Sequence, residues 1–336
     1  MTRPDVVPAA FWAPRPPSAL PVVPREYHEF YRTPRLRWWH PLVGLLMFAG
    51  TWFIAVLIVS VAALVYDLAR GNLVLDELAS GVIDITPMLF LANNIGLALA
   101  IPLAFAAHRA VFGQKVGWLF AITGRLRWGL LGRFLLIALA FYLVLYGVEL
   151  AITGIPEGLA VGPDTWFLLI SILLTTPLQS AGEEVAMRGL MARAIGSWFP
   201  ARRVGLVVST VVTSIVFMVL HGAGDPWLNG HYLWFGVVTS VLVWKTGGLE
   251  APIALHVVNN LIGLSFVPFL GLDGLFDREA GVGSPLVLIQ AALLTAAAAA
   301  ILWQARRLGL VTSAAPAALQ GNVGGVGSQP GSGPAG

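Results

Sequence analysis

Residues 41–66 read PLVGLLMFAGTWFIAVLIVSVAALVY, a run without a single charged side chain. As an α-helix rising 1.5 Å per residue it would extend about 39 Å, more than the roughly 30 Å of a bilayer's hydrocarbon core. The rest of the chain repeats the theme. Its 336 residues are 57% hydrophobic and 11% charged, with a mean hydropathy of +0.80, whereas soluble domains carry about 25% charged residues. The fold class is therefore all-α, a polytopic membrane protein. Apolar stretches at 41–66, 84–107, 128–152, 166–192, 204–222, 231–245, 250–270 and 285–305 predict about eight transmembrane helices, with 231–245 the weakest because it is short.

Three regions are expected. Residues 1–40, rich in Pro and Arg, read as a disordered or surface-lying cytoplasmic arm ending in the interfacial pair Trp38 and Trp39. Residues 41–308 form the transmembrane domain, and 309–336, rich in Ala, Gly, Ser and Pro, read as a flexible tail. Arginine and lysine concentrate on one set of alternate segments: six Arg in the arm, then Arg109, Lys115, Arg125 and Arg127, then Arg193, Arg202 and Arg203, then Lys245, Arg306 and Arg307. The other set carries Arg70 and Arg278 with acids such as Asp76, Glu77 and Asp277. This asymmetry predicts a multi-pass protein of the cell membrane with both termini in the cytoplasm. It also accounts for the pI near 9.5 through contact with anionic lipid, so nucleic acid is not an expected partner. Cysteine is absent, which excludes disulfides and thiolate metal ligands.

Ionisable groups inside membrane spans are costly and mark functional candidates. Arg133 and Glu149 lie near opposite ends of their helix, where long side chains reach the headgroups. Asn93 and Asn94 suit hydrogen bonding between helices. In AGEEVAMRGL (181–190), Glu183 and Glu184 project about 100° apart on a helix, which argues against a shared partner. Arg188 stands four residues after Glu184 and can pair with it, leaving Glu183 without a local cation. Phe217 and His221 share one face of another helix, and His256 and Asn260 one face of a third. Counting from a turn near Phe199–Ala201, Glu183 and His221 lie about 25 and 31 Å along their helices. Their levels match, in a site expected about 10 Å below the cytoplasmic surface, in a cavity open to the cytoplasm.

Two chemistries fit that set. Glu183 with His221 could activate water for attack on a peptide carbonyl, while His256 and Asn260 donate hydrogen bonds to the oxyanion. Alternatively Glu183, His221 and His256 could hold Zn²⁺, so the cofactor expectation is either none or Zn²⁺.

The motifs EEVAMR (183–188), FMVLH (217–221) and HVVNN (256–260), in this order on successive apolar helices, resemble the CPBP intramembrane proteases. That family includes CAAX-processing endopeptidases of the Ras-converting type and bacteriocin-processing and self-immunity proteins. The resemblance spans about 165–271. It implies an intramembrane endopeptidase acting near the cytoplasmic membrane face on a peptide or protein substrate, prenylated or not. By it Glu183, His221, His256 and Asn260 are catalytic, and Glu184, Arg188 and Phe217 support them. The alternative it leaves is a noncatalytic membrane scaffold or immunity protein of the same fold.

Overall fold

The computed structural model describes residues 17–74, 84–273, 275 and 278–318. The Pro/Arg stretch before residue 17, Asp76, Glu77, Asp277 and the tail beyond 318 lie outside the described residues. Long helices dominate, in chain order. They are α1 (His40–Arg70), α2 (Pro87–Ala98), α3 (Ala100–Phe112), the short α4 (Gly117–Phe120), α5 (Trp128–Thr153) and α6 (Thr165–Glu184). A π-helical stretch, Val185–Met191, continues α6 into α7 (Ala192–Gly196). Then come α8 (Arg202–Leu220), α9 (Pro226–Thr246), α10 (Glu250–Gly263), the short α11 (Val267–Leu270) and α12 (Val287–Arg307).

Among the described residues, seven helical segments are long and apolar enough to cross a membrane. Of the eight expected, α9 is missing from that set, although it is longer than the sequence suggested. Asp225 caps its start, accepting from the N–H groups of Trp227 (2.8 Å) and Leu228 (3.1 Å), with Pro226 at the first helical position. It packs against α8, α12 and α10, so lipid does not dictate its composition. The hydroxyls of Thr239, Ser240 and Thr246 donate to carbonyls of their own helix.

Topology still requires α9 to cross. Strand β1 (Arg25–Glu26) pairs antiparallel with β2 (Ser313–Ala314), so the segments flanking the bundle meet on one face, and an odd number of crossings would separate them.

The segment before α1 is not a loose arm from residue 17 onward. Tyr27, Phe30 and Tyr31 are buried. The Tyr27 hydroxyl donates to the Leu119 carbonyl, and that of Tyr31 donates to His108 Nδ1 (2.8 Å). The buried Arg193 guanidinium lies 3.7 Å over the Tyr27 ring, an arrangement suited to a desolvated cation. Arg202 pairs with Glu26 at 2.7 Å, and the His28 Nε2–H donates to the Arg202 carbonyl (3.1 Å). Burial pushes the His28 imidazole below its ordinary pKa, so it stays neutral there. Composition pointed to disorder because it does not register aromatic side chains placed to plug the end of a bundle. Phe30→Ala should cost about 3–5 kcal/mol, the range for a buried Phe. The check is a lower melting temperature with faster proteolysis of residues 17–39; an unattached arm would show neither.

Candidate active site

The chemistry-bearing residues lie on α6, α8, α9 and α10. Close approach of α6 to α2 depends on Gly182, where a Cβ would collide with the carbonyl oxygen of Leu97. The next two residues are the carboxylates. Glu184 and Arg188 are fully buried, with Arg188 Nη1 3.2 Å from Glu184 Oε1, the pairing expected from their spacing. A π-helical turn begins immediately after Glu184; such segments frequently occur at functional sites.

One expectation fails here. Glu183 and Glu184 share a partner, His256, which is 3% exposed. His256 Nδ1 is 2.9 Å from Glu184 Oε1, and its Nε2 is 4.0 Å from Glu183 Oε2. Two side chains 100° apart can serve one imidazole because its nitrogens lie on different edges of the ring. Since a carboxylate accepts, Nδ1–H donates to Glu184, and in the neutral ring Nε2 presents its lone pair towards Glu183.

Glu183 has a second partner that the motifs do not contain: Gln179, one helical turn earlier, donates to it through Nε2. Gln179 Oε1 accepts from Asn260 Nδ2 (3.1 Å), which also bonds Ser180 Oγ (3.2 Å). Asn260 accepts from Asn259 (2.9 Å), and Asn259 from the Tyr142 hydroxyl (2.9 Å). The polar chain thus runs Tyr142, Asn259, Asn260, Gln179, Glu183. The four-residue spacing of Gln179 and Glu183 was a readable signal.

His221 ends α8, its Nδ1–H donating to the Phe217 carbonyl at 2.7 Å, with Tyr232 stacked on it at 3.9 Å between centroids. Phe217 joins the two histidines, 4.5 Å from His221 and 5.9 Å from His256, and Arg188 lies 4.7 Å from its centroid.

Glu183, His221 and Asn260 line one cavity of about 570 Å³. His256 stands behind it, contacting Glu183. Asn94 bonds Thr175 (2.9 Å) and Thr176 (3.2 Å), the helix-joining role expected, and both Asn93 and Asn94 line the cavity.

The cavity wall includes Leu275 and Arg278, from the loop between α11 and α12, on the face opposite the β1–β2 pair. His221 lies about 28 Å along α8 from Arg202.

The Zn²⁺ alternative also meets a geometric obstacle. Glu183, His221 and His256 do not form a group whose ligand atoms all lie within 4.8 Å of one another among the described residues. The one such group among the described residues is Glu26, His28 and Glu29, whose carboxylates already face Arg202 and Arg25. The residues proposed to hold zinc therefore do not fit it.

Fold and site together define an all-α, multi-pass membrane protein with a polar, ionisable cluster beside a cavity among its spans. Residues 164–262, from the start of α6 to the end of α10, match the family model described as Type II CAAX prenyl endopeptidase Rce1-like, a match that supports the CPBP resemblance over this segment. The chain is 23% identical over 265 residues to "Uncharacterized protein YyaK" of Bacillus subtilis (strain 168), covering 72% of this chain and 84% of that protein. It is 30% identical over 105 residues to an "Uncharacterized 24.3 kDa protein" of Escherichia coli, 31% of this chain and 46% of that one. No solved structure matches.

Proposed function

We propose that the protein is an intramembrane endopeptidase in which Glu183 is the general base. The observation that carries this reading is a carboxylate at a cavity wall inside the bundle, oriented by Gln179 on one side and His256 on the other. A water about 2.8 Å from both Glu183 Oε2 and His256 Nε2 would have its two protons directed at them and a lone pair free for a peptide carbonyl. Glu183 takes the proton as the C–O bond forms and returns it to the amine as the C–N bond breaks.

This pairs Glu183 with His256, where the sequence suggested His221. His221, across the same cavity, lies where it can contact the substrate peptide. Asn260 acts by holding Gln179, since its amide hydrogens already serve Gln179 and Ser180. The substrate peptide occupies the cavity that Glu183, His221 and Asn260 line. Cleavage then takes place within the membrane, near the cytoplasmic face if the arginine-rich termini lie in the cytoplasm.

Two outcomes test the arrangement. Gln179→Leu should lower kcat about 10- to 100-fold, the worth of a hydrogen bond to a charged group, with KM little changed; a pure KM effect would place Gln179 in substrate binding. Peptide hydrolysis should survive exhaustive chelation, because the donor set does not converge on an ion; loss on chelation and recovery with Zn²⁺ would reverse that reading.

A further inference from the structure

We propose that a second cavity, separated from the first by the wall of α6 and α10, binds one anionic glycerophospholipid. It is independent of the peptidase reading. Its volume is about 1280 Å³, beyond the roughly 300–1,000 Å³ of sites for small ligands. Leu130, Leu135, Leu178 and Val257 are among its apolar lining, suited to acyl chains. Arg125, Arg127 and Arg133 supply charge, and among the described residues no acid lines it.

The three arginines are not equivalent. Arg127 is satisfied by Glu250, bonding its two carboxylate oxygens at 2.9 and 2.6 Å. Arg125 and Arg133 have no carboxylate partner within 4.0 Å among the described residues and are exposed. Arg125 projects from a loop that is tied down: Ile122 N donates to the Gly247 carbonyl (3.0 Å), and Leu249 N to that of Phe120 (2.8 Å). Trp128, 73% exposed, begins α5 at the same cavity, the residue type that marks the headgroup level. Two unpaired cations and an indole at that level, over an apolar cleft, match a lipid phosphate above its chains. The charge bias of the termini-bearing face also fits an anionic leaflet.

The test uses the full chain in nanodiscs of phosphatidylcholine doped with phosphatidylglycerol, with retained lipid identified by native mass spectrometry. Each basic residue near an anionic headgroup is worth about five-fold in affinity, so phosphatidylglycerol should be preferred about 25-fold. The double variant R125Q/R133Q should retain the two lipids equally, while R125K/R133K should restore most of the preference. Brominated phosphatidylglycerol should quench tryptophan fluorescence in the parent, and less so in Trp128→Phe. Equal retention by the parent, or unchanged preference in R125Q/R133Q, would overturn the proposal. So would quenching that ignores Trp128, or displacement of the lipid by millimolar glycerol phosphate, which would make the ligand a free phosphate.

Discussion

Glu183→Gln should yield a folded protein with peptide hydrolysis reduced about 10²- to 10⁴-fold, the usual contribution of a positioned general base. The substitution keeps the volume and lets the Gln179 contact persist in altered form, so packing around the cavity changes little. What disappears is the only cavity-lining carboxylate among the described residues. The measurement is turnover of a quenched fluorescent peptide in proteoliposomes, with the melting temperature read in parallel. Unchanged turnover would remove Glu183 from the mechanism. Loss of turnover together with collapse of the melting transition would mean that Glu183 supports the fold, as the scaffold reading requires.

Arg188→Ala should do the opposite: it should unfold the protein before it informs on chemistry. Its guanidinium and Glu184 are both fully buried, and removing one partner of a buried pair typically costs about 3–5 kcal/mol because the other charge is stranded. Here His256 relieves part of the loss, since Nδ1 already bonds Glu184. The cation's packing over Phe217 would go as well. Loss of monodisperse protein in detergent, or a steep fall in the denaturation midpoint, is the expected result. A stable, inactive Arg188→Ala would instead assign the arginine a direct part in the reaction.

The contrast between these adjacent carboxylates shows how far the sequence could be read. Spacing alone separated a paired Glu184 from an unpaired Glu183, and the ion pair with Arg188 follows from helical geometry. Spacing could not show that His256 inserts between them, because the position of α10 against α6 is tertiary. Gln179 was legible as a turn-earlier neighbour, yet an amide in an apolar helix draws less attention than a charge. The short estimate for α9 came from weighing hydropathy over punctuation: Asp225–Pro226 and Gly247, left-handed at φ 68°, mark both ends. The folded segment before α1 was missed because no local pattern reveals that Tyr27, Phe30 and Tyr31 pack into the bundle's end.

The most direct test of the central claim is hydrolysis by the purified full chain in proteoliposomes, using membrane-anchored peptides in ¹⁸O-enriched water and mass spectrometry of the products. The account predicts discrete cleavage, one solvent oxygen in each new C-terminal carboxylate, and no such product from Glu183→Gln. A folded parent that cleaves none of the peptides, or a Glu183→Gln variant that releases the same products at the parent's rate, would contradict it.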